Sequence, residues 1–346
     1  MDLSSKLIEL IKNATGGNVA VDYIVSLVLM VIGFVLLIKG ADIFVDGASK
    51  IAEKMRIPLI VIGLTIVAFG TSAPEAAVSI TSACQGTAGI AVGNVIGSNI
   101  MNILLILGVS ALFAKLPVKK TTLKYEIPFV AFVTLVLLGL GWLGWDLNRI
   151  DGIILAILFV LFFVYLIRLS KSGEAASDDE VPMLTEKDTV PKMILMIILG
   201  LVFIVLGSDA TVAGASEIAL QLGVSDRIIG LTIVAFGTSL PELVTSVTAA
   251  KKGQTDIAIG NIIGSNIFNI LFVAGIAAII SPEAIPFQPS FIIDSIVAIA
   301  AAVVLGLFVM KKKTLGKAGG IVMLIMYAAY FAYLMISSLS APILTA

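Results

Sequence analysis

The chain has 346 residues, 59% of them hydrophobic and only 13% charged, with a mean hydropathy of +1.12. Soluble domains carry about 25% charged residues, so this composition excludes an ordinary water-soluble fold, and a net charge of −1 leaves no basic footprint for nucleic acid. The absence of histidine excludes His-based metal sites, zinc proteases and Ser-His-Asp catalysis, and a single cysteine, Cys84, excludes an internal disulfide.

In chain order, residues 1–18 place Asp2, Lys6, Glu9 and Lys12 among apolar positions, which reads as a short amphipathic lead-in and not as a secretory signal. Ten segments then come close to the roughly 20 apolar residues that a membrane helix needs. They lie at about 20–40, 58–83, 88–113, 125–145, 150–168, 192–208, 226–250, 256–280, 288–310 and 316–338. The predicted fold is an all-α polytopic membrane protein with ten transmembrane helices. Residues 19–168 form a first five-helix repeat and 192–346 a second, joined by an acidic linker, 169–191, that carries Asp178, Asp179 and Glu180. With the N-terminus outside, 18 of the 22 Lys and Arg residues fall on the inner side, which predicts a cell-membrane protein with both termini outside.

The halves repeat each other. Residues 63–108 align without a gap on 230–275 at a constant offset of 167, with 29 of 46 pairs identical. GLTIVAFGTSAPE returns as GLTIVAFGTSLPE, and GNVIGSNIMN returns as GNIIGSNIFN. Gly40, Asp42, Gly47 and Ala48 match Gly207, Asp209, Gly214 and Ala215 at the same offset. Five spans per half is an odd number, so the second half must cross the membrane in the opposite sense. Inverted repeats of that kind place a substrate site near the midplane between interrupted helices.

Glu75 is the only charged residue from Ile57 to Ala114, and Glu242, its repeat equivalent, is the only one from Ile228 to Ala250. A carboxylate at the centre of a span costs about 2.5–3.5 kcal/mol on insertion scales, so each needs a proton, a distant basic side chain or a bound cation. The neighbours favour the cation. Thr71 and Glu75, like Thr238 and Glu242, are four apart and share a helix face. Ser72 and Ser239 add hydroxyls, and the next spans supply Ser98 with Asn102 and Ser265 with Asn269. These are oxygen donors only, which suits hard cations and calcium in particular. Pro74 and Pro241 deprive the Gly70 and Gly237 carbonyls of helical partners. They are expected to loosen those of Ala68 and Ala235 as further ligands, with Gly97 and Gly264 relaxing the partner spans. Asn99 and Asn266 lie on a different face and are expected to hydrogen-bond between helices. Asp42, Asp46 and Asp209 read as caps or interface residues, and Asp294 as interfacial.

With G-T-S-x-P-E twice, G-S-N-I-x-N twice, ten spans and a central loop, the chain resembles the cation/calcium exchanger superfamily, most closely its prokaryotic sodium/calcium antiporters. The resemblance implies that Thr71, Ser72, Glu75, Ser98, Asn102, Thr238, Ser239, Glu242, Ser265 and Asn269 surround adjoining calcium and sodium sites. It also implies that the first and sixth spans slide across that core. Some relatives carry Asp where this chain has Asn269, so the local charge here is −2, from Glu75 and Glu242, and matches one Ca²⁺. The expected activity is secondary antiport of Na⁺ against Ca²⁺, with both ions as substrates in a lipid bilayer. No enzyme activity, cofactor, nucleic acid or protein partner is expected. Proton- or potassium-dependent calcium exchange and a cation channel are the competing readings.

Overall fold

In a computed structural model of the chain, the described residues are 6–7, 9, 19–85, 89–172, 184–185, 188–223, 229, 233 and 235–340. Most of the expected lead-in, and residues 173–183 and 186–187 of the expected linker, lie outside them. In chain order the helices are α1 (Val19–Met55), α2 (Leu59–Thr71), α3 (Ala73–Cys84), α4 (Gly89–Phe113), α5 (Thr122–Gly144) and α6 (Arg149–Ser172), followed by α7 (Val190–Gln221), α8 (Ala235–Thr238), α9 (Leu240–Lys251), α10 (Thr255–Ile280), α11 (Pro289–Lys312) and α12 (Lys317–Ser340). Among the described residues eight helices are long and apolar enough to cross a membrane, and α2 with α3 forms one further span bent by 52°. Of the expected span 226–250, Ile229, Ile233, α8 and α9 are described.

Two helices, α4 and α10, form the centre: 78% and 83% of their apolar windows are buried, against 22–33% for the other six long helices. The outer helices turn Val31, Leu135, Val160 and Ile325 outward, which is the surface expected where the solvent is hydrocarbon. Local sequence explains the interruptions at the centre. Pro74 and Pro241 occupy the first turns of α3 and α9, where a missing N–H costs nothing, and the chain breaks just before them at Ser72 and Ser239. Both central helices contain a π-helical stretch, Asn102–Leu107 in α4 and Asn269–Ala274 in α10, at the same repeat offset. Such widened turns recur at functional sites.

The first expected span, 20–40, continues to Met55. At about 1.5 Å per residue, its 37 residues reach about 55 Å, well beyond the hydrocarbon thickness. Asp42 and Asp46 continue the helix because Lys252 pairs with both of them, at 2.7 Å each. The expected span 192–208 likewise extends over Val190–Gln221. These two repeat-equivalent helices lie against each other in opposite directions. A Cβ on Gly33 would stand 2.8 Å from the Gly207 carbonyl oxygen, and one on Gly40 2.8 Å from that of Gly200. Small residues let the backbones touch, the usual way membrane helices pack closely.

Four short strands complete the frame: β1 (Leu116–Pro117), β2 (Asp146–Leu147), β3 (Ile285–Pro286) and β4 (Thr314–Leu315). β1 pairs with β4 and β2 with β3, both antiparallel, so each ribbon joins one half of the chain to the other. The helices interlock in the same way: α5 packs on α11, α6 on α10 and α12 on α4.

Candidate functional site

The site forms where the two breaks meet. Glu75 sits in the first turn of α3 and Glu242 in the first turn of α9, where the positive end of a helix dipole favours a negative charge. Both are fully buried. The hydroxyl of Ser72 donates to Glu242 Oε1 at 2.7 Å, and the hydroxyl of Ser239 donates to Glu75 Oε1 at 3.1 Å. Residue i of one half thus holds residue j of the other, and the equivalent pair returns the contact. That reciprocity is the mark of a two-fold relation, and it brings the two acids into one pocket. Among the described residues neither carboxylate has a Lys or Arg partner within salt-bridge distance.

Four asparagines brace the pocket. Asn99 and Asn266 donate to each other's main-chain carbonyls at 3.0 and 3.2 Å, which is the inter-helix role expected of them. Asn102 Nδ2 donates to Asn266 Oδ1 at 3.0 Å and Asn269 Nδ2 to Asn99 Oδ1 at 3.3 Å. With their amide nitrogens committed, Asn102 Oδ1 and Asn269 Oδ1 have no hydrogen-bond donor, and neither do Glu75 Oε2 and Glu242 Oε2. Four buried oxygens without donors, all from the expected set, would be costly in a packed interior. They suit a positive ion that accepts oxygen ligands. Among the described residues no group of three or more His, Cys, Asp or Glu could hold a metal, so the acids at this site are the glutamate pair, with neutral oxygens around it.

The remaining expected residues divide. Thr71 is buried beside Glu242, and its hydroxyl donates to Asn261 Oδ1 of α10 at 2.9 Å. Ser98 is buried on α4, and Ser265 donates to the Ala68 carbonyl at 3.5 Å. Thr238 and Ala235 are the last and first residues of the short α8. The expected loosening of the Ala68 carbonyl is not observed: it accepts the Ser72 N–H at 3.0 Å, because the break falls after it. The Gly237 carbonyl is not left open either, since the Ser208 hydroxyl of α7 donates to it at 2.7 Å. Gly264 serves close packing, with a Cβ there only 2.8 Å from the Leu64 carbonyl oxygen and the Ala68 Cβ.

Two residues passed over in the sequence support the carboxylates from behind. Asn94 donates to Ser79 Oγ at 3.0 Å and its equivalent Asn261 to Ser246 Oγ at 2.9 Å, and both reach the main-chain oxygen of the adjacent Glu75 or Glu242, at 3.4 and 3.5 Å. The signal was available, because each asparagine repeats identically inside the GNxIGSN segment. Asp294 accepts the Tyr330 hydroxyl at 2.9 Å between α11 and α12, away from this site.

A multi-span helical protein whose helix breaks meet around buried carboxylates and amide oxygens falls in the class of membrane ion transporters. Comparison with known proteins narrows the class: the family described as sodium/calcium exchanger protein matches residues 25–168 and 192–336, and the chain belongs to it. CaxA of Alkalimonas amylolytica is 43% identical over 91% of this chain and 100% of its own length. The sodium/calcium exchanger MaX1 of Methanosarcina acetivorans is 36% identical over 90% and 98%. Among solved structures, the sodium-calcium exchanger NCX_Mj superposes with a TM-score of 0.78 at 32% identity, covering 90% of this chain and 99% of that one.

Proposed function

We propose that the protein is a secondary antiporter exchanging Na⁺ for Ca²⁺ by alternating access, with Ca²⁺ extruded on the inward sodium gradient. The observation that carries the reading is the convergence of Glu75 and Glu242, each bonded by the serine preceding the other's proline and each keeping one oxygen without a donor. Two negative charges are neutralised by one Ca²⁺ or by two Na⁺, so the ions compete for the same oxygens. An empty site would carry uncompensated charge through a low-dielectric seal, which opposes movement without cargo. Exchange of more than two Na⁺ per Ca²⁺ would move net charge, worth about 2.3 kcal/mol per charge per 100 mV.

The metal set proposed is Glu75, Glu242, Asn102, Asn269, Ser72, Ser239, Thr71, Thr238, Ser98 and Ser265, with the carbonyls of Ala235 and, through the lone pair that the Ser72 N–H does not take, Ala68. Two inverted five-helix halves, with ten crossings and both termini outside, accord with the antiparallel packing of α1 on α7. They also accord with the gathering of Lys50, Lys119 and Lys252 contacts and the β1–β4 ribbon at one lysine-rich end. Flux in liposomes tests the function. Calcium uptake should require sodium loaded inside, should not follow a proton gradient alone, and should respond to an imposed membrane potential. Full uptake without internal sodium rejects sodium coupling in favour of proton exchange or a channel.

A further inference from the structure

We propose that the cleft between α5 and α6 at the lysine-rich end binds a phospholipid with a primary-amine headgroup. The cleft encloses about 420 Å³, within the range of about 300–1,000 Å³ typical of small-ligand sites. Phe129 and Phe162 stack across it with centroids 5.5 Å apart. Phe132 and Leu161, 49% and 57% exposed, open it toward the surrounding hydrocarbon. An acyl chain can therefore enter sideways from the membrane and lie against the aromatic walls.

The polar end holds the second observation. Glu126 lines the cleft yet is only 1% exposed. Tyr165 donates its hydroxyl to Glu126 Oε1, whereas Oε2 has no hydrogen-bond partner. A carboxylate there is costly unless it meets a cation or a proton, and the ion-exchange site described above does not use it. Lys124, two residues earlier, lines the same cleft, with its ammonium 5.0 Å from the Tyr125 ring. One anion deep inside and one cation beside it complement a zwitterion attached to an apolar chain. The headgroup ammonium would donate to Glu126 Oε2, and the phosphate would lie near Lys124. A choline headgroup has no N–H to give and would lose the first of these contacts. A small soluble cation would leave the apolar walls unused.

Native mass spectrometry of the purified full-length protein tests the site, using equimolar lipids of one acyl composition: phosphatidylethanolamine, its mono- and dimethyl derivatives, and phosphatidylcholine. Retention should fall along that series, by about ten-fold or more from first to last, and Glu126→Gln should level it. Leu158→Trp, which fills the cleft and leaves the Glu126–Tyr165 bond in place, should abolish retention of every headgroup. Sodium-dependent calcium flux reports that each variant is folded. Equal retention of the amine and choline lipids by the unmodified protein overturns the proposal. So does an unchanged preference in Glu126→Gln, undiminished retention in Leu158→Trp, or a dimer that buries the cleft and excludes lipid.

Discussion

At Glu75 and Glu242 charge matters more than size. Glutamine has nearly the same shape and can still accept from Ser239 or Ser72, so Glu75→Gln and Glu242→Gln should leave the fold intact. Either variant should lower sodium-dependent uptake of radiolabelled calcium at least a hundred-fold, because one remaining negative charge cannot balance a divalent ion. Asn269→Asp makes the opposite change. It raises the local charge to −3, so Ca²⁺ alone no longer neutralises the pocket, and calcium–calcium exchange should slow until a monovalent cation is added. Away from the membrane centre, Asp188 accepts from Lys50 Nζ at 2.9 Å and from the Thr185 N–H and hydroxyl at 3.0 and 2.8 Å. The Lys50 bond, followed by the Thr185 bonds, holds this carboxyl below its ordinary range. The stabilisation is therefore present above the unfolded-state value of about 3.9 and is lost only as pH falls through the lower folded-state value. The difference in thermal stability between the native chain and Asp188→Asn should be flat from about pH 5 to pH 8 and should shrink only in stronger acid. Identical acid profiles of the two proteins would remove Asp188 from the account. At this scale the sequence was informative where the residue type itself carries the chemistry: a lone acid in an apolar run, repeated, has few explanations. The asparagine bracing at Asn94 and Asn261 was half legible: the repeat marks both residues, but an amide on a helix carries no mark of which neighbour it will meet.

Between elements, the contacts at the lysine-rich end differ from those their repeat equivalents could make. Lys252, just beyond α9, bonds Asp42 and Asp46 of α1 at 2.7 Å, and Ser49 of α1 donates to Gln254 at 2.7 Å. The repeat offset places Gln85 opposite Lys252 and Ala213 opposite Asp46, so the ionic tie has no counterpart of the same chemistry. Partly exposed pairs of this kind contribute about 0.2–1 kcal/mol each. Lys252→Met should therefore shift the equilibrium between the two facing states by about two- to thirty-fold toward opening at the lysine-rich end. Accessibility of a cysteine placed on α1 to an impermeant thiol reagent from that side reports the shift, and unchanged labelling would mean that the tie does not bias the gate. Periodicity and hydropathy located most helices but misjudged the length of α1 and α7. Hydropathy stops counting at Asp42, whereas the backbone continues because partners beyond the bilayer receive its charged turns. Pro74 marked where the helix would be disturbed, since proline acts through its own ring, but the expected single span 58–83 divides there into α2 and α3, bent by 52°.

For the whole molecule, the strand ribbons and the crossed packing of α5, α6 and α12 could not be read from either half alone, because they depend on surfaces more than a hundred residues apart in sequence. A specific protease site introduced within residues 173–183 should be cleavable without loss of sodium-dependent calcium uptake, and the two fragments should co-purify in mild detergent. Separation into inactive pieces on cleavage would show that the covalent connection holds them together. The crossed frame has a consequence for assembly during synthesis. Leu116 of β1 can pair only once Leu315 has been made, and Leu147 of β2 only once Ile285 has been made, so neither ribbon can close before most of the second half has left the ribosome. A chain ending before Thr314 should thus leave β1 without a partner and give a lower folded yield in the membrane.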